Sequence, residues 1–226
     1  GGAAGFRDMQ TVMVSTNDGA SWTNHMLPVG VGGANVQWFK VIYCTNDGLF
    51  MAIGGGNAAS TIAAYSYDGT NWGGVTTGPA SAEWTAIAYD PSMATYKWVA
   101  VAGSTAATTA TTRATITNGS IVFSAAGTPN ASARWIDVAA SGGGRFVAIA
   151  GGAAVGTATA YSTDGSTWTV GGTNASSLWQ SIAYGPARFV CISSSATNGP
   201  TSYSSDGVTW TASTAPTLPT GMNWNK

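Results

Sequence analysis

Eight aspartates and one glutamate, Glu83, are the acids this chain offers for general acid or base work. Four of the aspartates recur at one place in a repeated motif, as Asp18, Asp68, Asp164 and Asp206, each followed directly by a glycine, Gly19, Gly69, Gly165 and Gly207. Paired carboxylates that hydrolyse a glycosidic bond stand roughly 5 to 10 Å apart, whereas these four belong to different copies of the motif. An aspartate just before glycine is a turn residue, its carboxylate accepting from nearby backbone N–H groups, and that is the role expected of them. His25 has no Cys or His companion at metal-ligand spacing, and no Gly-x-Ser-x-Gly elbow accompanies it. Gly54-Gly55-Gly56 and Gly142-Gly143-Gly144 lack the following Lys-Ser/Thr of a phosphate cradle and read as turns. The expectation is therefore no catalytic residue, no metal, no cofactor and no enzyme activity.

Ten tryptophans invite a different chemistry, since an indole face stacks on a pyranose ring while small polar neighbours bond its hydroxyls. Their positions argue for packing instead. Trp38, Trp84, Trp135, Trp179 and Trp224 open repeated units, Trp22, Trp72, Trp168 and Trp210 close the Asp-Gly motifs, and Trp98 stands where another unit has Phe146. All ten fall on repeat positions and are expected to pack a core. The polar groups left over for a ligand are Asn24, His25, Tyr67, Asn71 and the Thr/Ala-rich stretch 104–112, expected to be a loop.

These residues are carried by a repeat. Residues 135–168 and 179–210 share one order: Trp, a short apolar run, a turn, Arg-Phe-Val, a Gly/Ser/Ala link, then Tyr-Ser-x-Asp-Gly-x-Thr-Trp. A third copy runs from Trp38 to Trp72, and a worn fourth from Trp84 ends in Asn118-Gly119, with Val122 where the closing Trp would stand. The opening tryptophans are roughly 44 to 51 residues apart, a period that fits four short strands and their turns. Asp-Gly or Asn-Gly between β-rich runs is a hairpin signal, read here as a type I′ turn with positive φ at both central residues. No window carries a 3.6-residue apolar period. A linear β-solenoid is the alternative, but hairpin turns favour antiparallel meanders. The expected fold is all-β, a five-bladed propeller of four-stranded antiparallel blades in one domain, 1–226, with repeats at 38–83, 84–134, 135–178 and 179–223.

The fifth unit is split. Residues 1–37 carry only the end of a copy, through Asn17-Asp18-Gly19 to Trp22, and Trp224 begins one at the other terminus. By the repeat's own period about 13 residues of that blade are missing. The expectation is a longer native polypeptide, or another chain that supplies the strand corresponding to 145–150.

Eight basic against nine acidic residues give a formal charge of -1, so no footprint for nucleic acid is present. No apolar run approaches a membrane span, and membrane insertion is not expected. Cys44 and Cys191 lie in separate units within apolar runs and read as buried free thiols.

Residues 161–168, Tyr-Ser-Thr-Asp-Gly-Ser-Thr-Trp, resemble the Asp-box, or BNR-like, motif Ser-x-Asp-x-Gly-x-Thr-Trp of sialidase-like propellers, one residue shorter between Asp and Gly. The whole unit resembles repeats of phage tail-fibre and bacterial surface proteins, and its count is similar to that of a five-bladed invertebrate lectin. The resemblance covers essentially the entire chain. It implies a surface module, extracellular or on a virion, whose partners are a glycan or host receptor, other virion proteins, or both. A glycoside hydrolase of sialidase-like type is the remote alternative; it would require an arginine cluster and a tyrosine nucleophile, and Arg145 and Arg188 occupy one repeat position, which reads as structural. A purely structural decoration or scaffold module is the rival reading.

Overall fold

The computed structural model describes residues 11–28, 37–55, 61–103, 111–127, 133–151, 159–172, 179–193 and 201–213. All regular elements among them are strands. Thr11–Val14 (β1) and Thr23–Met26 (β2) form a two-stranded antiparallel sheet. Four sheets of four strands follow. The first blade is Trp38–Cys44 (β3), Leu49–Gly54 (β4), Ala63–Ser66 (β5) and Gly73–Gly74 (β6); the second is Trp84–Tyr89 (β7), Trp98–Ala102 (β8), Thr111–Thr117 (β9) and Ser120–Ala125 (β10). The third is Trp135–Ala140 (β11), Phe146–Ala150 (β12), Thr159–Ser162 (β13) and Thr169–Val170 (β14); the fourth is Trp179–Tyr184 (β15), Phe189–Ser193 (β16), Thr201–Ser204 (β17) and Thr211–Ala212 (β18). Each blade is an antiparallel meander in chain order, and the first strands β3, β7, β11 and β15 pack one against the next around the centre of a propeller.

Apolar side chains of facing blades make three cores, one per interface. Trp84, Trp135 and Trp179, which open the second, third and fourth blades, are fully buried, as is Trp98. Truncating one to alanine would cost roughly 3 to 5 kcal/mol. The glycine that follows the second strand in the first three blades has a steric reason. The N–H groups of Gly55, Gly103 and Gly151 donate to the carbonyls of Gln37, Glu83 and Arg134, at 2.8, 2.8 and 3.0 Å. A side chain on Gly55 or Gly151 would overlap the backbone of Trp84 or Trp179 in the following blade. Blades approach there as closely as bare backbone allows.

Several sequence expectations are corrected. The described residues give four complete blades and a two-stranded sheet where five blades were expected. Positive φ at both central residues occurs at Asn118-Gly119, a two-residue hairpin between β9 and β10, but Asp68, Asp164 and Asp206 keep negative φ and only their glycines are left-handed. Their turns are longer loops closed by side-chain bonds. In the N-terminal sheet Asp18 does have positive φ, and the capping role passes to Asn17, one residue earlier. Thr111 and Thr112 begin β9 and do not belong to a loop, while 104–110 lie outside the described residues, as does Trp224.

Candidate functional site

Each of the four inner strands carries an irregularity between its tryptophan and the residue two positions on: Trp38/Lys40, Trp84/Ala86, Trp135/Asp137 and Trp179/Ser181. A bulge re-aims the side chain that follows it. Three of the four re-aimed residues meet. Lys40 Nζ of the first blade lies 3.6 Å from Asp137 Oδ1 of the third, and Ser181 Oγ of the fourth donates to Asp137 Oδ2 at 2.7 Å. Lys40 and Asp137 belong to blades that flank the second, so their contact spans the inside of the ring, where the second blade brings Ala86 to the equivalent position.

Asp137 is buried and held in place by its surroundings. The N–H of Ile182 donates to Oδ2 at 3.1 Å and that of Val138 to Oδ1 at 3.1 Å, a donor set suited to an ionised carboxylate. Lys40 is half-buried, with its side chain 34% accessible. It also borders a cleft of about 170 Å³ between the first blade and the two-stranded sheet, lined by Thr11, Val12, Trp38, Val41, Ala52 and Trp72 among others. The axis thus presents a lysine ammonium donor beside a serine and a fixed carboxylate, a set able to bond the hydroxyls of a neutral ligand.

The Asp-Gly turns form a second recurrent arrangement. Asp68 Oδ1 accepts the N–H groups of Thr70 and Asn71 at 2.8 and 2.7 Å, while Ser66 Oγ accepts that of Gly69 at 2.9 Å. Asp164 accepts from Ser166 and Thr167, both at 2.7 Å, and Asp206 from Val208 and Thr209, both at 2.8 Å. Trp72 Nε1 donates to the Gly69 carbonyl at 2.8 Å, as Trp22 Nε1 does to Gly19 at 3.1 Å. Bonds from the Asn71 backbone and side chain hold Asp68 well below the ordinary carboxylate range. The N–H groups of Thr209 and Val208 lower Asp206. At Asp164 burial pushes upward, and the amides of Thr167 and Ser166 outweigh it.

Of the ligand candidates, Tyr67 is exposed and makes an edge contact with Tyr65 at 5.8 Å. Asn71 is engaged in its own turn, donating from Nδ2 to Asp68 Oδ2 at 2.7 Å. Asn24 and His25 sit on β2, paired opposite Met13 and Val12, and not in a loop. The structure leaves these four on two separate sheets and does not assemble them into one site. Cys44 and Cys191 are buried free thiols; burial raises Cys44 to about 11 and lifts Cys191 as well, so neither is a thiolate near neutral pH. Arg145 and Arg188 stack over Tyr161 and Tyr203 at 5.2 and 4.9 Å, one repeated contact. No group of His, Cys, Asp or Glu suited to a metal occurs among the described residues, and no helix there is long and apolar enough to cross a membrane.

The axial residues escaped sequence reasoning. Their signal was the aspartate inside the apolar run Trp-Ile-Asp-Val-Ala-Ala and the lysine at the same offset in Trp-Phe-Lys-Val. An offset of two from a repeated tryptophan holds Lys, Ala, Asp and Ser, a variable position within an otherwise uniform strand.

No family model and no curated protein matches the chain. Its fold is similar to solved structures. Virginiamycin B lyase from Staphylococcus aureus matches with a TM-score of 0.65 at 8% identity, over 91% of this chain and 63% of that one. The GH74 xyloglucanase from Xanthomonas campestris gives 0.62 at 15% identity, over 89% and 34%, and the GH74 enzyme from Niastella koreensis 0.53 at 19%, over 79% and 24%. The chain therefore spans less than two thirds of each. The expectation of no enzyme activity is corrected by these neighbours, because all three propellers are named as enzymes and a repeat that specifies the fold cannot exclude catalysis. At such identities the likeness shows the propeller fold.

Proposed function

We propose that the chain is a surface recognition propeller, displayed on a virion or cell, that binds a neutral glycan at the axial end of its ring. The observation that carries this reading is the convergence of Lys40, Asp137 and Ser181 from three blades, with Lys40 accessible beside a cleft bordered by Trp38 and Trp72. Aromatic faces next to a few directed polar groups are the usual make-up of a small-ligand site. A formal charge of -1 suits a neutral ligand, and in this reading the two-stranded sheet is part of a fifth blade. A glycan array followed by calorimetry tests it, with xyloglucan on the panel because one propeller of similar fold is named a xyloglucanase.

The expected result is binding to one glycan class, weakened at least ~10-fold by Lys40→Met, which keeps the aliphatic stem and removes the donors. Binding that survives Lys40→Met moves the site elsewhere, and no binding across the panel overturns the reading. Release of reducing sugar from any bound glycan would add hydrolysis to recognition. A second reading, a purely structural decoration module, draws support from the bonds that already fill Asp137. In that case Lys40→Met lowers stability and alters no ligand.

A further inference from the structure

In each complete blade the third strand pairs on both sides, with a second strand and with a fourth. By its place before the turn that ends in Trp22, β1 is a third strand, yet among the described residues it pairs only with β2. Among the described residues its other edge, where a second strand belongs, has no strand paired to it.

The flanks of that opening are exposed at positions that are core in the other blades. Val41 is 51% accessible, while its repeat equivalents Ile87, Val138 and Ile182 are 1%, 4% and 6% accessible. Across the gap Val190 is 41% accessible, where Met51, Val99 and Val147 are fully buried. The turn glycines tell the same story. A side chain on Gly165 or Gly207 would meet Val99 or Val147 of the preceding blade's second strand, whereas Gly69 has only Val14 of β1 from that side, 3.8 Å away. Val12 of β1 and Val41 of the first blade border the cleft between them.

The repeat specifies what fits. Second strands read aromatic, apolar, small, apolar: residues 50–53, 98–101, 146–149 and 189–192. All four runs are already built into their own blades. Residues 1–10 contain no such run, and 214–226 contain Pro216 and Pro219, which lack the N–H that a ladder needs. A second copy of the chain has no spare run either.

We infer that the β1 edge is an acceptor for one β-strand of the type Phe-Val-Ala-Ile-Ala, supplied by a partner chain, which adds main-chain bonds to β1 and buries Val41 on one side and faces the Val190 flank on the other. Strand addition takes affinity from the main chain and specificity from alternate side chains, and it removes an edge that would otherwise invite aggregation. The inference concerns the seam and does not depend on glycan binding at Lys40.

The test adds a synthetic peptide of the 145–151 sequence, Arg-Phe-Val-Ala-Ile-Ala-Gly with lysines at both ends, to the intact 226-residue chain, and reads amide exchange across β1 together with thermal stability. The expected result is exchange slowed at least ~10-fold at those amides of Thr11–Val14 that do not bond to β2, and a higher melting temperature, with neither effect from the same peptide carrying proline in place of its central alanine. Three results overturn the inference: no protection by the peptide, protection in the chain alone of the β1 amides that do not bond to β2, or protection of those amides that appears with dimerisation of the chain by itself. Glycan binding measured with and without the peptide reports separately on the axial site.

Discussion

A carboxylate that accepts two backbone N–H bonds beside a serine hydroxyl is stabilised in its charged form, and Asp68, Asp164 and Asp206 share that arrangement. Their folded-state affinities for protons are lowered, so below an ordinary pKa of about 3.9 the unfolded chain binds protons that the folded chain refuses. The stability they contribute is complete above that value and is lost as pH falls through the lower folded-state values. Melting temperature followed by circular dichroism should be flat from pH 7 to about 5 and fall below about 4. The triple variant Asp68→Asn, Asp164→Asn, Asp206→Asn should flatten the acid limb, because the amide oxygen still accepts, as Asn17 Oδ1 does from the Ser21 N–H at 2.9 Å, and nothing titrates. Asp164→Ala instead should cost about 1 kcal/mol at neutral pH through lost caps. An unchanged acid limb in the asparagine variant would place the sensitivity elsewhere.

At the scale of the element, most of the architecture was legible and the reasons are specific. The Trp-to-Trp period fixed where each blade begins, and Asn118-Gly119 fixed a two-residue hairpin, since both rest on local chemistry. The Asp-Gly turns were placed correctly but given the wrong geometry: a dipeptide cannot reveal that the serine two residues earlier closes the loop from the side. The axial site was illegible because Lys40 and Asp137 are 97 positions apart in sequence and meet only when the ring curves. Gly55 lies in a run read as a turn, and its actual constraint is a neighbouring blade's carbonyl, a constraint that Gly151 shares. Gly151→Ala should therefore cost ~2 kcal/mol or more through overpacking against Trp179, whereas Gly185→Ala, with nothing within 4 Å of the added carbon, should stay within about 0.5 kcal/mol. Urea denaturation of the two variants checks this, and equal losses would show that the blades can part to admit a side chain.

At the scale of the whole molecule, the blades contact mainly their neighbours, so stability is a sum of interface terms and its loss is greatest where two interfaces flank a blade. Blades two and three each have a packed face on both sides, while the fourth packs against the third and presents Val190 on the other. The same valine position in two blades therefore reports whether the ring is continuous. Val147 lies fully buried between the third and fourth blades, and Val147→Asp would place an unpaired charge there at a cost of several kcal/mol, of the order of the domain's entire stability. Val190→Asp leaves its carboxylate within reach of water and should cost no more than about 1 kcal/mol. Urea midpoints for the pair should separate sharply in the chain alone. If polypeptide closes the seam, the gap between them should narrow on adding the strand, because Val190 then becomes an interior position and its aspartate is penalised as that at 147 already is. Equal losses without any added strand would mean that the Val190 flank is covered in solution and that the ring is closed by the chain itself.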